Sequence, residues 1–200
     1  MALGKQAKTL TQKQIEVALS YLATTRYGLR NQVIFLLSTK AGLRAKEIAG
    51  LRWSMLVDAT GQVGDSINLT NTVSKGKNGG RSIPLNRDLK QHLVQLFDQV
   101  SDHPRFDVHT ACVITTERAG NYLPQSVVNQ FAKWYSALGF VGCSSHSGRR
   151  TFITNAARKI STVGGSVRDV QLMAGHSDLN TTQRYIEADF DCQRRVVQLV

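Results

Sequence analysis

Ala174-Gly175-His176-Ser177-Asp178-Leu179-Asn180-Thr181-Thr182-Gln183-Arg184-Tyr185 is the stretch on which the reading of this 200-residue chain turns. It sets a histidine directly after a glycine, follows it with a Thr-Thr turn, and puts a tyrosine on what reads as a short helix. Upstream lies a second cluster, His146-Ser147-Gly148-Arg149-Arg150-Thr151-Phe152. A third, Ala41-Gly42-Leu43-Arg44-Ala45-Lys46-Glu47-Ile48-Ala49-Gly50-Leu51-Arg52-Trp53, opens with a helix stop and closes on two apolar anchors. In chain order the clusters present an arginine, a His-x-x-Arg pair, a Gly-His pair and a tyrosine.

Elementary chemistry limits what these groups can do. A free phenol ionises near a pKa of about 10, so Tyr185 becomes a nucleophile only where a base removes its proton or cations stabilise its anion. Guanidinium is planar, always charged, and matches two phosphate oxygens at once, which makes arginines the natural clamps for a phosphodiester. Arg44, Arg52, Arg149 and Arg150 all qualify by type. His146 and Arg149 are spaced for one helical face. His176 is either a phosphate ligand or a helix-terminal cap after Gly175. Lys75 and Lys77, on a glycine-rich tip, are candidate acids for a leaving oxygen if desolvation or neighbouring cations lower their pKa.

Composition points to the substrate class. Hydrophobic residues make up 42% and charged residues 20%, a globular balance. The formal net charge is +11. Such an excess favours a polyanion, nucleic acid first and an anionic membrane surface second. The longest apolar run, Val33-Ile34-Phe35-Leu36-Leu37, is far short of the roughly 18 residues that span a bilayer. Met1 to Lys5 contains no signal-peptide core. Cys112, Cys143 and Cys192 are odd in number and scattered, which suits a reducing cytosol and neither a disulfide framework nor a zinc site. No metal-ligand spacing and no Walker loop is present, so no metal or other cofactor is expected.

The periodicity describes one domain, mainly α with a small antiparallel β-sheet insertion (α+β). Residues 1–10 read as a loose basic arm and 11–200 as the folded domain. Thr11 and Gln14 form a capping box for a helix carrying Ile15, Ala18, Leu19 and Leu22. A second helix places Leu29, Val33, Leu36 and Leu37 on one face and ends before Gly42; a third begins near Arg44. Between Gly61 and Leu85, glycines punctuate β-type runs, with Lys75 to Gly80 as a hairpin tip and Pro84 closing the last strand. Leu89, Leu93, Leu96, Phe97 and Val100 restore helical spacing. Cys112-Val113-Ile114 reads as a brief strand. Val127, Phe131, Trp134, Tyr135 and Leu138 form an aromatic stripe that is expected in the core, not against bases.

The four boxes in this order resemble the tyrosine recombinase, or phage integrase, family, from about residue 11 to about residue 190. The resemblance implies that family's catalytic-domain fold and metal-independent breakage and rejoining of DNA through a 3′-phosphotyrosyl link. It selects Arg44 and Arg149 as the phosphate clamps over Arg52 and Arg150. It assigns His146 and His176 to the phosphate or the tyrosine proton, and Tyr185 as nucleophile. The family's lysine stands before a glycine near the turn, which favours Lys75 over Lys77 as general acid. Lys77, Arg81 and Arg150 are the further expected DNA contacts. The implied partners are double-stranded DNA and further copies of the chain, as a tetramer on paired sites. The expected setting is the cytoplasm, with the nucleoid, and no membrane.

Three departures accompany the resemblance. Typical members carry a separate N-terminal helical domain, for which this sequence is expected to have no counterpart. Gly148 replaces an apolar residue common between the histidine and the arginine, and is expected to loosen the start of its helix. The end after Tyr185 is short, with Val196, Val197, Leu199 and Val200 as an apolar tail available for a neighbouring subunit or its own domain. Strand relaxation of the type IB topoisomerase kind, and a non-catalytic DNA-binding module of the same fold, are the alternatives to a recombinase.

Overall fold

Helix α2 (Gly28–Lys40) is the centre around which the other helices pack. Sequence spacing assigns it one apolar face, but Val33 through Thr39 are buried without interruption. A helix that is apolar all round has to be enclosed, and here α1 (Gln12–Ala23), α4 (Arg87–Asp98) and α6 (Ser147–Lys159) surround it. The computed structural model describes residues 7–74, 80–117, 121–185 and 197–198. Among them no helix is long and apolar enough to cross a membrane.

α1 begins as its sequence dictates: the Thr11 hydroxyl accepts from the Gln14 amide, and the Gln14 side chain accepts from the Thr11 amide. α3 (Ala45–Ala49) starts at Arg44, and Trp53 is buried in edge contact with Phe97 of α4. The strands β1 (Ser66–Leu69) and β2 (Arg81–Pro84) pair antiparallel, Ile67 opposite Ile83. They part at Leu69 and Arg81, so the connection is longer than a tight hairpin tip; Lys75 and Lys77 lie outside the described residues. Cys112 forms only an isolated bridge with Arg52, not a strand. In α5 (Pro124–Ala137) Val127, Phe131, Trp134 and Tyr135 are all buried, so the aromatic stripe is core.

The N-terminal arm is docked, at least from residue 7. The Leu10 amide donates to Thr151 Oγ1 at 2.8 Å, Lys8 donates to the Gly142 carbonyl, and Arg150 donates to the Ala7 carbonyl at 3.1 Å. These bonds pin residues 7–10 against the first turns of α6, which corrects the expectation of a loose arm for that part. Residues 1–6 lie outside the described residues. Of the expected apolar tail, Val197 is exposed; Val196, Leu199 and Val200 lie outside the described residues.

Gly148 is not a weak point of α6. It packs directly against α2: a Cβ there would meet Ser38 Oγ, and would lie 2.9 Å from Ser38 Cβ and 3.1 Å from Thr39 Cγ2. Gly148 and Ser38 are thus a matched small pair at a helix crossing. Gly148→Ala gains about 1 kcal/mol of helix propensity, but overpacking of a rigid crossing costs about 1–3 kcal/mol. We expect net destabilisation, larger for Gly148→Leu, read as a lower urea midpoint. A raised midpoint for Gly148→Ala would contradict the close-crossing account.

A second, smaller core of Ile153, Val170 and Ala174 joins α6 to α7 (Val167–Ala174), with Phe152, Met173 and Tyr185 packed against it. It carries the tyrosine-bearing end of the chain.

Candidate active site

α7 ends as its sequence requires. Ser166 and Asp169 form its capping box, and Gly175 closes it in the left-handed region at φ 62°. A side chain at Gly175 is excluded twice, by that φ and by Arg81, whose Nη1 lies 2.8 Å from where a Cβ would sit. The Gln171 amide group donates to the His176 carbonyl at 2.9 Å, which fixes the turn that follows.

That turn delivers His176 into a network. Its Nε2 faces Arg149 Nη2 at 3.0 Å and its Nδ1 faces Thr182 Oγ1 at 2.9 Å. Burial first, then the charges of Arg149, Arg44 and Arg81, push His176 down to about 4. The imidazole is therefore neutral at physiological pH. A guanidinium can only donate, so Nε2 accepts from Arg149 and the ring proton sits on Nδ1, donated to Thr182. The Thr182 hydroxyl accepts that proton, so the two neighbours together select this tautomer. Thr182 is fully buried and lies in the short helix Leu179–Gln183, not in the turn that the sequence suggests; its contact with His176 had no local signal.

Tyr185 stacks on His176, with ring centroids 5.4 Å apart and an interplanar angle of 21°. Its backbone is tied on both sides: the amide donates to the Thr182 carbonyl, and the carbonyl accepts from Thr154 Oγ1 on α6. His146, Arg149, Arg150, Arg184 and Tyr185 line one cavity of about 340 Å³, closed on one side by Ala7. His146 caps α6 and is exposed at the rim, while Arg149, two residues inside the helix, is buried. Arg149 spans the Gly42 carbonyl and the Ala174 carbonyl with its two terminal nitrogens. Burial and the neighbouring Arg44 charge lower it to about 10, still cationic. Adjacent Arg150 lines the same cavity.

Arg44, the N-cap of α3, reaches the Gly175–His176 turn. Its Nη2 donates to the Gly175 carbonyl at 3.3 Å, and its Nη1 pairs with Glu47 Oε1 at 3.0 Å. Arg52, the competing candidate, points away and donates to the Thr110 carbonyl. Glu47 is the residue that sequence reading missed: its side chain is 1% exposed, and it holds both Arg44 and Arg81. Burial on its own would raise the Glu47 carboxyl. The Arg81 bonds and charge, with the Arg44 amide and charge, outweigh that and hold it below its usual value. The i,i+3 spacing from Arg44 was the available signal; its partner Arg81, 34 residues on, was not foreseeable.

Arg81 itself corrects an expectation. Its side chain is only 7% exposed, and it faces Glu47 and the Met173 carbonyl, not the outer surface of the hairpin. The buried Glu47 carboxylate and the Met173 carbonyl draw the guanidinium inward. Lys75 has no described position, but its neighbours do: Ser74 is buried with its carbonyl accepting from Lys46, and Gly80 is bonded to Asn71.

A helical domain with a two-stranded insertion, and a tyrosine stacked on a histidine beside buried arginines, is the architecture of a tyrosine recombinase catalytic domain. The phage integrase family profile matches residues 8–191, and the chain belongs to that family. The tyrosine recombinase XerD of Lacticaseibacillus casei is 29% identical over 188 residues, covering 88% of this chain and 57% of that protein. XerC of Myxococcus xanthus is 26% identical, covering 86% of this chain and 55% of that protein. The chain therefore spans little more than half the length of these relatives. In fold it is similar to XerA recombinase, with a TM-score of 0.73 at 18% identity over 100% of this chain and 65% of that one. The Tn1549 transposon integrase in complex with circular intermediate DNA gives 0.73 at 19% identity, over 98% and 66%.

Proposed function

We propose that this chain, with residues 11–200 as its catalytic domain, breaks and rejoins double-stranded DNA at specific sites through a covalent 3′-phosphotyrosine. The observation that carries the reading is the continuous packing of Arg149, His176 and Tyr185, with three guanidiniums and a histidine sharing the tyrosine's cavity. Membership of a family whose relatives are recombinases, and resemblance to integrases solved with DNA, support it.

The reaction balances with this chain's own groups. Tyr185 Oη attacks the phosphorus, and its proton passes to His146 at the rim. Arg149 and Arg44 stabilise the added charge on the non-bridging oxygens, favouring the transition state over the ground state. The phosphorus–O5′ bond breaks, and the leaving oxygen takes a proton from Lys75. One ester replaces another, so the bond energy is conserved and rejoining is the same sequence reversed. Tyr185 stacks on its own chain's His176, which supports cleavage in cis. Lys77 and Arg150 are proposed DNA contacts. Assembly as a tetramer on paired sites, in the cytoplasm with the nucleoid, follows the same reading.

The test is trapping. A nicked duplex that loses its short leaving strand should leave a protein–DNA adduct that survives denaturation. Binding without adduct on every duplex drawn from the neighbouring genome would favour the non-catalytic module. Relaxation of supercoiled DNA by a monomer would favour the topoisomerase. A footprint of about 6 phosphates implies a slope of about −5 in log K against log salt. A flat response would remove nucleic acid as the partner.

A further inference from the structure

We propose that Arg81 is a positioning residue that keeps Arg44 available to a phosphate by occupying both oxygens of the buried Glu47 carboxylate. The proposal rests on the reading of this site as a phosphate clamp.

The geometry is as follows. Arg81 takes Glu47 as a fork, Nη1 to Oε1 at 2.9 Å and Nη2 to Oε2 at 3.1 Å. Its Nε donates to the Met173 carbonyl at 2.7 Å, which aims the guanidinium from β2 at the end of α7. The Gly175 backbone lies against it, with no room for a side chain. Arg44 is left with one side-chain bond to the same carboxylate, Nη1 to Oε1, and its amide takes Oε2. Its remaining bond, to the Gly175 carbonyl at 3.3 Å, is long. Of the two arginines on Glu47, Arg44 is the one that reaches solvent, its side chain 25% exposed against 7% for Arg81.

A buried carboxylate must be paired. Two arginines and one glutamate leave a surplus positive charge, and the geometry puts that surplus on the solvent side. Without Arg81, Arg44 would be the one cation hydrogen-bonded to Glu47 among the described residues. Arg44 would turn its fork onto the carboxylate, as bidentate pairing favours, and the pair would be neutral. The phosphate would then lose its clamp although Arg81 never touches it. Arg81 thus acts through Glu47 on Arg44, and ties β2 to the turn that carries His176.

Inorganic phosphate is the probe, with the guanidinium Nε–H resonances of Arg44 and Arg149 followed by NMR in the whole chain. In the wild type both should shift saturably. In Arg81→Met the Arg44 response should weaken about tenfold, the worth of one charge-assisted bond. In Arg81→Met/Glu47→Gln the buried charge is gone, and the Arg44 response should return to within about threefold of wild type, well under one such bond. Arg81→Lys, which keeps a cation at Glu47 and serves where the methionine variant does not fold, should also stay within that range. An unchanged Arg44 response in Arg81→Met would overturn the proposal, as would a double variant no better than the single, or a tenfold loss in Arg81→Lys. Wild-type protein whose arginines ignore phosphate would remove the clamp itself, a result distinct from a clamp that works without Arg81.

Discussion

Tyr185→Phe is expected to abolish the covalent adduct while leaving DNA affinity and stability nearly unchanged. The ring stacks on His176 and packs on the small core of Ile153, Val170 and Ala174, and phenylalanine retains both contacts. Only the hydroxyl is lost. Affinity rests mainly on phosphate contacts, which the substitution leaves in place. Loss of a nucleophile has cost other covalent enzymes about 10⁶-fold, and we expect at least about 10⁴-fold here. A denaturing gel decides it: an adduct persisting in the variant would mean that another residue attacks.

Arg149→Lys should be nearly as damaging as Arg149→Ala. Arg149 bridges two carbonyls and the His176 ring. A lysine ammonium keeps the charge but has no rigid fork to span them. Cleavage should fall by about 10²-fold or more, as when one oxyanion donor is removed. A carbonyl left unpaired in the buried site also costs about 1–3 kcal/mol, so the rate must be read well below the unfolding midpoint. A single-turnover rate at saturating DNA within about threefold of wild type would exclude Arg149 from the transition state, since such a ratio is under 1 kcal/mol.

Much of the fold could be read locally. The Thr11–Gln14 box, the stop at Gly175 and the spacing of Leu89, Leu93, Leu96 and Phe97 all act over a turn or two of helix, and the structure follows them. The errors arose where distant segments meet. Gly148 looks like a helix weakness until Ser38 is seen against it. The arm looks loose until Thr151 and Arg150 take its backbone. Arg81 looks like a surface cation until Glu47 and Met173 are found beneath it.

The sequence by itself determined the family, the mainly α class with its β insertion, and the residue types of the site. The family follows from the resemblance of four boxes in chain order, and the class and residue types from side-chain chemistry and from spacings within single elements. What only the tertiary structure decided is which groups act on which. The neutral state and tautomer of His176 come from burial and from Arg149, 27 residues away, with Thr182 on the other side. The pairing of Glu47 with two arginines, and the exposure of one of them, come from α3, β2 and α7 closing on one point. Charge and hydrogen-bond partners of buried groups are set by what packs around them in space, and no local pattern along the chain carries that information.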